Sequence, residues 1–284
     1  MSVNDRVACV DNLIKRSMRQ AGNKFYEAFS DSIKAMLYQG YKDNILHNPR
    51  LVMYKMMGTT IDGITMAKGM EKKISGAINV MKYRGLVQNN WTIDTTRRIT
   101  TYSSFEDKHA VLEAAAHSFY LDRWENQSHN ILLMCEASGY LGVIKHIADQ
   151  FRVPYVPAKG DMSVQIKMEI ADLVNDNTVI LYFGDYDIKG LQIPQTIEND
   201  IRILSENYSF EFVRMFINAE DIETYGLERD EKGNVQMEQL PERVAIREAS
   251  SYIEDLINRD LWDEALEQEE TIKAEIRGEN NEDQ

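Results

Sequence analysis

The sequence predicts an α/β protein in which a helical module of winged helix-turn-helix type precedes a domain with a mainly parallel sheet. Three observations carry that prediction. Apolar residues recur at helical spacing through the first hundred positions. Two unbroken apolar runs, 131–135 and 179–183, are then each followed by an amphipathic stretch, the alternation expected of buried parallel strands and their crossover helices. The sign of the charge also changes near residue 100. Residues 1–100 carry 16 Lys and Arg against 8 Asp and Glu, whereas the rest of the chain is strongly acidic and brings the total to −14.

Taken in order, Val10, Leu13, Ile14 and Met18, then Phe25, Ala28, Phe29, Ile33 and Met36, predict two helices in an N-terminal unit, residues 1–47, with Gly22 and Gly40 as breaks. Residues 48–100 form the predicted winged module: a helix over Leu51–Met57, a turn at Gly58 and Asp62-Gly63, and a longer helix over 65–84. That helix has an apolar face of Met70, Ile74, Ala77, Ile78 and Met81, and carries Lys68, Lys72, Lys82 and Arg84 largely elsewhere. After Gly85, Leu86-Val87 and Trp91-Thr92-Ile93 are expected to pair as the two strands of a wing. A helix from Phe105 to Trp124 fills the connector, residues 101–129. The α/β domain, residues 130–240, is read as strand 131–135, helix 141–151, strand 155–156, helix 163–174, strand 179–183, helix 193–206 and a more exposed strand 210–215. Beyond Pro241 the chain is helical and acidic, and residues 279–284 hold too few apolar side chains to stay ordered.

Composition narrows the function classes. A hydrophobic content of 43% with 27% charged residues is that of a soluble globular protein. Neither a signal peptide nor a membrane span is expected, which predicts a cytoplasmic protein, or one of the host cytoplasm if viral. Cys9 and Cys135 stand apart from any zinc-ligand spacing and are expected to be buried, reduced thiols. The basic first hundred residues can neutralise phosphates despite the net negative charge, because electrostatic interactions at physiological salt reach only about 8 Å.

Both apolar strands end in acid, at Glu136 and at Asp185-Tyr186-Asp187. Strand carboxyl ends line the ligand crevice of an open α/β sheet, so these three carboxylates are expected at one edge. Their mutual repulsion calls for a hard divalent cation. Mg²⁺, with Mn²⁺ as an alternative, suits carboxylates, waters and substrate phosphate oxygens. Gly184 and Gly190 bracket the turn and leave room for a close phosphate approach.

A strand-terminal Glu with a later strand-terminal D-x-D resembles the Toprim domain of topoisomerases, primases and related nucleases, and implies a Rossmannoid sheet. The local wording is similar to the A subunit of topoisomerase VI and the meiotic double-strand-break protein, and closest to small phage and bacterial proteins that join a winged helix to a Toprim domain. The similar stretches are Lys82–Val87 with Ile93–Arg97, Tyr120–Trp124, Val153-Pro154 through Lys159-Gly160, Leu181–Asp187 through Gly190-Leu191, and the closing Gly226-Leu227 with Glu238–Pro241. They cover roughly residues 50–240. The resemblance implies that Glu136, Asp185 and Asp187 bind the metal, with Glu136 also catalytic. Ala137 stands where the family often has Lys after the glutamate, and Lys159 is the candidate replacement. Tyr54 stands at the place of the family's nucleophilic tyrosine, with Tyr83 as second candidate. DNA contacts are assigned to Lys68, Lys72, Arg84 and Lys159. A homodimer and a separate ATPase subunit are implied partners, and no membrane partner is expected.

The function so read is Mg²⁺-dependent cleavage or nicking of DNA phosphodiesters, through a Tyr54 adduct or a metal-activated water. The alternatives are a metal-binding module that positions DNA ends without chemistry and a hydrolytic nuclease without a tyrosine. A haloacid-dehalogenase-like phosphatase is disfavoured, because Lys189 occupies the last position of its motif. A D-x-D sugar transferase leaves the basic module unexplained, and a primase would bring a zinc module.

Overall fold

The computed structural model describes residues 3–93, 104–158, 160, 162–205 and 209–278. The N-terminal module is built from α1 (Val3–Ala21), α2 (Asn23–Lys42), α3 (Pro49–Lys55), the short strands β1 (Thr60–Ile61) and β2 (Ile64–Thr65), and α4 (Glu71–Tyr83). Gly22 separates α1 from α2 at a φ of 82°, a conformation that a side chain would strain. Phe25, Phe29, Ile33 and Leu37 repeat along one face of α2 and are buried at 3% exposure or less, making the spine of the module's core. A Cβ on Gly76 would lie 2.6 Å from the Ala21 nitrogen, so α4 crosses the end of α1 backbone to backbone.

The hairpin departs from the predicted wing. It lies before α4, between Thr60 and Thr65, around Asp62 and Gly63, both at positive φ, the turn geometry that matches strand twist. Between α4 and residue 93 there are no paired strands among the described residues. Residues Asn89–Trp91 form a turn of 3₁₀ helix, and Thr92 makes a single parallel bridge to His47. Two contacts explain the difference. Leu86 N–H bonds back to the Met81 carbonyl and closes the helix end, and Trp91 lays its ring on Tyr38 and Tyr41 of α2 instead of joining a ladder.

The connector helix α5 (Lys108–Ser118) is shorter than predicted. Beyond it the Leu121 and Trp124 amides go to the Glu269 and Asp122 carboxylates, and the Trp124 indole donates to the Phe151 carbonyl. Burial of Trp124 in the core thus overrides helix continuation. The α/β domain follows as β3 (Asn130–Cys135), α6 (Leu141–Phe151), β4 (Tyr155–Pro157), α7 (Val164–Leu173), β5 (Thr178–Phe183), α8 (Ile188–Leu204), β6 (Glu211–Phe216) and α9 (Ala219–Thr224), then α10 (Glu242–Asp255) and α11 (Arg259–Arg277). Its sheet has the order β4-β3-β5-β6 and is parallel throughout. Alternate residues of β3 and β5 feed two cores. Ile131, Leu133, Cys135, Val179, Leu181 and Phe183 face the α6 and α10 side. Leu132, Met134, Ile180 and Tyr182 face the side that also buries Ile170 of α7 and Ile197 of α8. Cover on both faces is why these strands read as unbroken apolar runs.

The predicted helix 193–206 begins five residues earlier, at Ile188, with Asp187 as its cap and Pro194 inside it. Proline at 194 has no N–H to offer the Gly190 carbonyl, and Arg214 donates to that carbonyl at 2.8 Å instead. Cys135 is buried as expected, but Cys9 is exposed on α1, since the apolar face of that helix lies elsewhere. Among the described residues no helix is long and apolar enough to cross a membrane. Residues 94–97 of the similar stretches, Lys159 and the tail 279–284 lie outside the described residues.

Candidate functional site

Parallel pairing of β3 with β5 sets Cys135 opposite Phe183, so the acids that follow each strand emerge on the same sheet edge. Glu136 N–H bonds to the Phe183 carbonyl at 2.9 Å, holding the two strand ends together. Glu136 Oε2 accepts from the Tyr182 hydroxyl at 3.0 Å. A Cβ on Gly184 or Gly190 would come to 3.1 and 3.3 Å of that same oxygen, so both glycines keep space open around the carboxylate. Asp185 Oδ1 accepts from the Met237 amide at 2.8 Å, and Asp187 Oδ1 accepts from the Gly190 amide at 2.7 Å.

Each of the three carboxylates therefore spends one oxygen on a local bond, and the other has no hydrogen bond among the described residues. As the side chains stand, no three His, Cys, Asp or Glu among the described residues form a group ready to hold a metal. The electrostatics nevertheless couple them. Burial raises the Glu136 carboxyl above its ordinary range, the Tyr182 hydroxyl opposes the rise, and the charges of Asp185 and Asp187 add to it. Asp185 is raised too, first by burial, with the Met237 amide and Arg50 opposing and Asp187 adding. Half-buried, mutually repelling carboxylates with free oxygens are a donor set suited to Mg²⁺, which needs only one or two protein carboxylates and keeps several waters.

Three residues not among the expected site residues complete the edge. Arg214, from β6, donates to the carbonyls of Gly184, Asp185, Gly190 and Ile217 at 2.6–3.2 Å, which fixes the acidic loop from beneath. Burial lowers its guanidinium from the ordinary range, while Tyr182, Glu136 and Asp185 counteract this. Arg50 and Glu238 belong to the seam between the two modules. The Arg50 Nε lies 2.7 Å from Glu238 Oε1, and its Nη2 donates to Gln236 at 3.0 Å. The Glu238 side chain is fully buried, and its oxygens make no hydrogen bond of good geometry. It lies where a Cβ on Gly139 would be 2.5 Å from Oε1. Arg50 stands one helical turn before Tyr54, a spacing that puts both on one face of α3 and was legible in the sequence. The role of Glu238 had no such local signal.

Tyr54 is 7% exposed, with the Arg50 guanidinium 5.9 Å over its ring. Its hydroxyl is pushed up to about 12, chiefly by burial, then by Glu238, with Arg50 opposing and Asp185 adding. Tyr54 and Asp185 of the same chain thus share one electrostatic neighbourhood. The seam that achieves this is built from several contacts. Asn48 caps α3 through the Leu51 amide and donates to the Ser138 carbonyl. A Cβ on Gly142 would strike the Leu46 carbonyl at 2.1 Å, and Glu242 meets His47 at 2.9 Å and Lys55 at 2.5 Å.

The predicted DNA-contacting residues do not form one cluster. Lys68 and Lys72 are exposed near the start of α4, with Lys68 4.0 Å from Asp230. Arg84 is exposed just past its end, 5.4 Å over the Tyr26 ring. Tyr83 is exposed at the same end, away from the seam. Compared with family models, curated proteins and solved structures, the chain matches none.

Proposed function

We propose that the chain is a DNA-directed, Mg²⁺-dependent enzyme of Toprim type, similar to the topoisomerase VI A subunit, that breaks a phosphodiester bond. The observation that carries the reading is the placement of Tyr54 and Arg50 beside the edge that holds Glu136, Asp185 and Asp187. In this reading the three carboxylates hold the cation, which when bound polarises a phosphoryl oxygen. Arg50, already over the Tyr54 ring, offers a second positive charge to the phosphate. The Tyr54 hydroxyl gives its proton to water as its oxygen attacks phosphorus, the P–O bond to the departing deoxyribose oxygen breaks, and that oxygen takes up a proton from water. One phosphoester is exchanged for another, so the strand is recoverable.

Water as the nucleophile is the second reading. The burial of Tyr54 and its raised pKa favour it, because both oppose formation of a phenolate at neutral pH. Lys68, Lys72 and Arg84 serve as phosphate contacts in either case. A homodimer and a separate ATPase subunit belong to the proposal by the same resemblance. Incubation with supercoiled plasmid and Mg²⁺, followed by a denaturing gel with and without protease, tests it. Nicked or linear DNA made by the native chain and not by Asp185→Asn, Asp187→Asn supports the reading. Intact plasmid under all divalent-cation conditions removes it.

A further inference from the structure

We infer that Tyr38, Tyr41 and Trp91, with Lys34 and Lys42, form a stacking platform for unpaired bases. The inference rests on the DNA-directed reading above and names its substrate class as DNA with a single-stranded segment. Tyr38 and Tyr41 are 42% and 41% exposed, whereas Phe25 and Phe29 of the same helix are almost fully buried. The partly buried Trp91 ring lies against both, with centroids 4.9 Å from Tyr38 and 6.1 Å from Tyr41. The two exposed tyrosines and the partly exposed tryptophan make one contiguous aromatic patch, and such patches mark binding surfaces.

The charges around the rings point to the occupant. Lys34, Tyr38, Tyr41 and Lys42 follow one stripe of α2 at i, i+4, i+7 and i+8. The Lys42 ammonium lies 4.7 Å over the Tyr38 ring. Asp43 is engaged by Gln39 at 2.9 Å, and Asp31 stands two turns before Tyr38. Cations flanking exposed aromatic rings match a phosphodiester strand whose bases are free to stack, since every base has a π face. A blunt duplex offers no base faces along its length, only the outer face of the terminal pair at each end.

Tryptophan fluorescence of the full chain reads the contact directly. Trp124 and Trp262 are 5% and 6% exposed and packed edge to face on each other, so quenching by an added strand reports Trp91. Oligo(dT) is expected to quench, and a blunt duplex of the same length is not. Tyr38→Ser with Tyr41→Ser should weaken oligo(dT) binding by about tenfold or more and leave duplex binding unchanged. Trp91→Phe should remove the quench while oligo(dT), followed by anisotropy, still binds. Duplex binding that depends on Lys68, Lys72 and Arg84 without any oligo(dT) quench would overturn the platform alone. Absence of binding to either form would overturn the DNA-directed reading and the platform with it. A change in sedimentation of the double variant with unchanged oligo(dT) affinity would assign the rings to a protein interface and overturn the inference.

Discussion

Glu269 offers the sharpest energetic test of how the C-terminal helices hold the domain. Its side chain is fully buried, and its oxygens meet Arg123 at 3.1 and 3.3 Å, Lys273 at 2.6 Å and the Leu121 amide at 3.3 Å. Replacement by Ala strands the Arg123 guanidinium, whose side chain is only 11% exposed, and leaves Lys273, 12% exposed, with the outlying Glu270 alone at 3.0 Å. Removal of one member of a buried ion cluster costs about 3–5 kcal/mol. At roughly 2–3 °C per kcal/mol for a chain of this size, the melting temperature should fall by about 6–15 °C. Glu269→Gln keeps the shape and one acceptor, so its loss should be smaller, near 1.5–3 kcal/mol as an order of magnitude. The triple change Arg123→Met, Lys273→Met, Glu269→Leu should recover most of the deficit, because apolar replacement of a whole buried cluster is often neutral. Thermal denaturation of the four proteins at pH 7 measures this. An Ala variant within about 1 kcal/mol of native would refute the cluster's role, as would a triple variant no better than Glu269→Ala.

At the acid edge, Mg²⁺ or Mn²⁺ should raise the melting temperature of the native chain, and Asp185→Asn with Asp187→Asn should remove that response in the same scan; a double variant that still responds fully would remove the metal site. Tyr54→Phe should lose protein-linked DNA while keeping DNA binding and the metal response, and a variant that cleaves normally would sink the adduct while sparing the carboxylates. Joint replacement of Lys68, Lys72 and Arg84 by Ala should lower the slope of log affinity against log salt by about 2–3 in a duplex titration, and an unchanged slope would count against their phosphate contacts. Burial pushes the carboxyls of Glu242 and Glu269 up, but His47 and Lys55 in one case and Lys273 and Arg123 in the other outweigh it and hold both below the usual 4.5. Their stabilisation is present above that value and is lost as pH falls through the depressed folded values. Glu242→Gln should therefore flatten the acid limb of a stability profile below about pH 4.5, and an unaltered limb would show that the pair contributes nothing.

Much of the α/β domain was legible because its determinants are local and periodic. The runs 131–135 and 179–183 emerged as strands within a residue of their expected limits, and helix 141–151 has its predicted bounds. Elements that depend on distant partners were not. Trp91 reads as a strand residue by composition, but it is held by the α2 tyrosines, and the predicted wing is absent there. The connector helix stops early because Trp124 and Glu269 claim its continuation. At the edge, the acids were visible in the sequence as strand endings. Arg214 was invisible, since its role comes from carbonyls brought to it by the fold: Gly190, which Pro194 cannot satisfy, and Gly184 and Asp185, all 24 to 30 residues away. Glu238 was equally hidden, because only the folded seam brings it to Arg50.

In the proposed reading, the same seam is what lets a chain of net charge −14 present a site to a polyanion. Strong negative charge is concentrated after residue 100, and Glu136, Asp185 and Glu238 are all raised above their ordinary ranges by burial first, with the Asp185 charge adding to Glu136 and Glu238 and the Asp187 charge adding to Glu136 and Asp185. Left alone, such an edge repels phosphate. Arg214 offsets it from beneath, where its guanidinium is committed to four backbone carbonyls and holds the loop in place. Arg50 offsets it from the side of the basic module, and remains 34% exposed while tied to Glu238. Of the two, only Arg50 can turn toward an incoming phosphate without dismantling the loop. In the proposed reading, docking α3 against the sheet edge does two things at once: it brings Tyr54 into the electrostatic neighbourhood of Asp185, and it adds Arg50 to the cations at that edge.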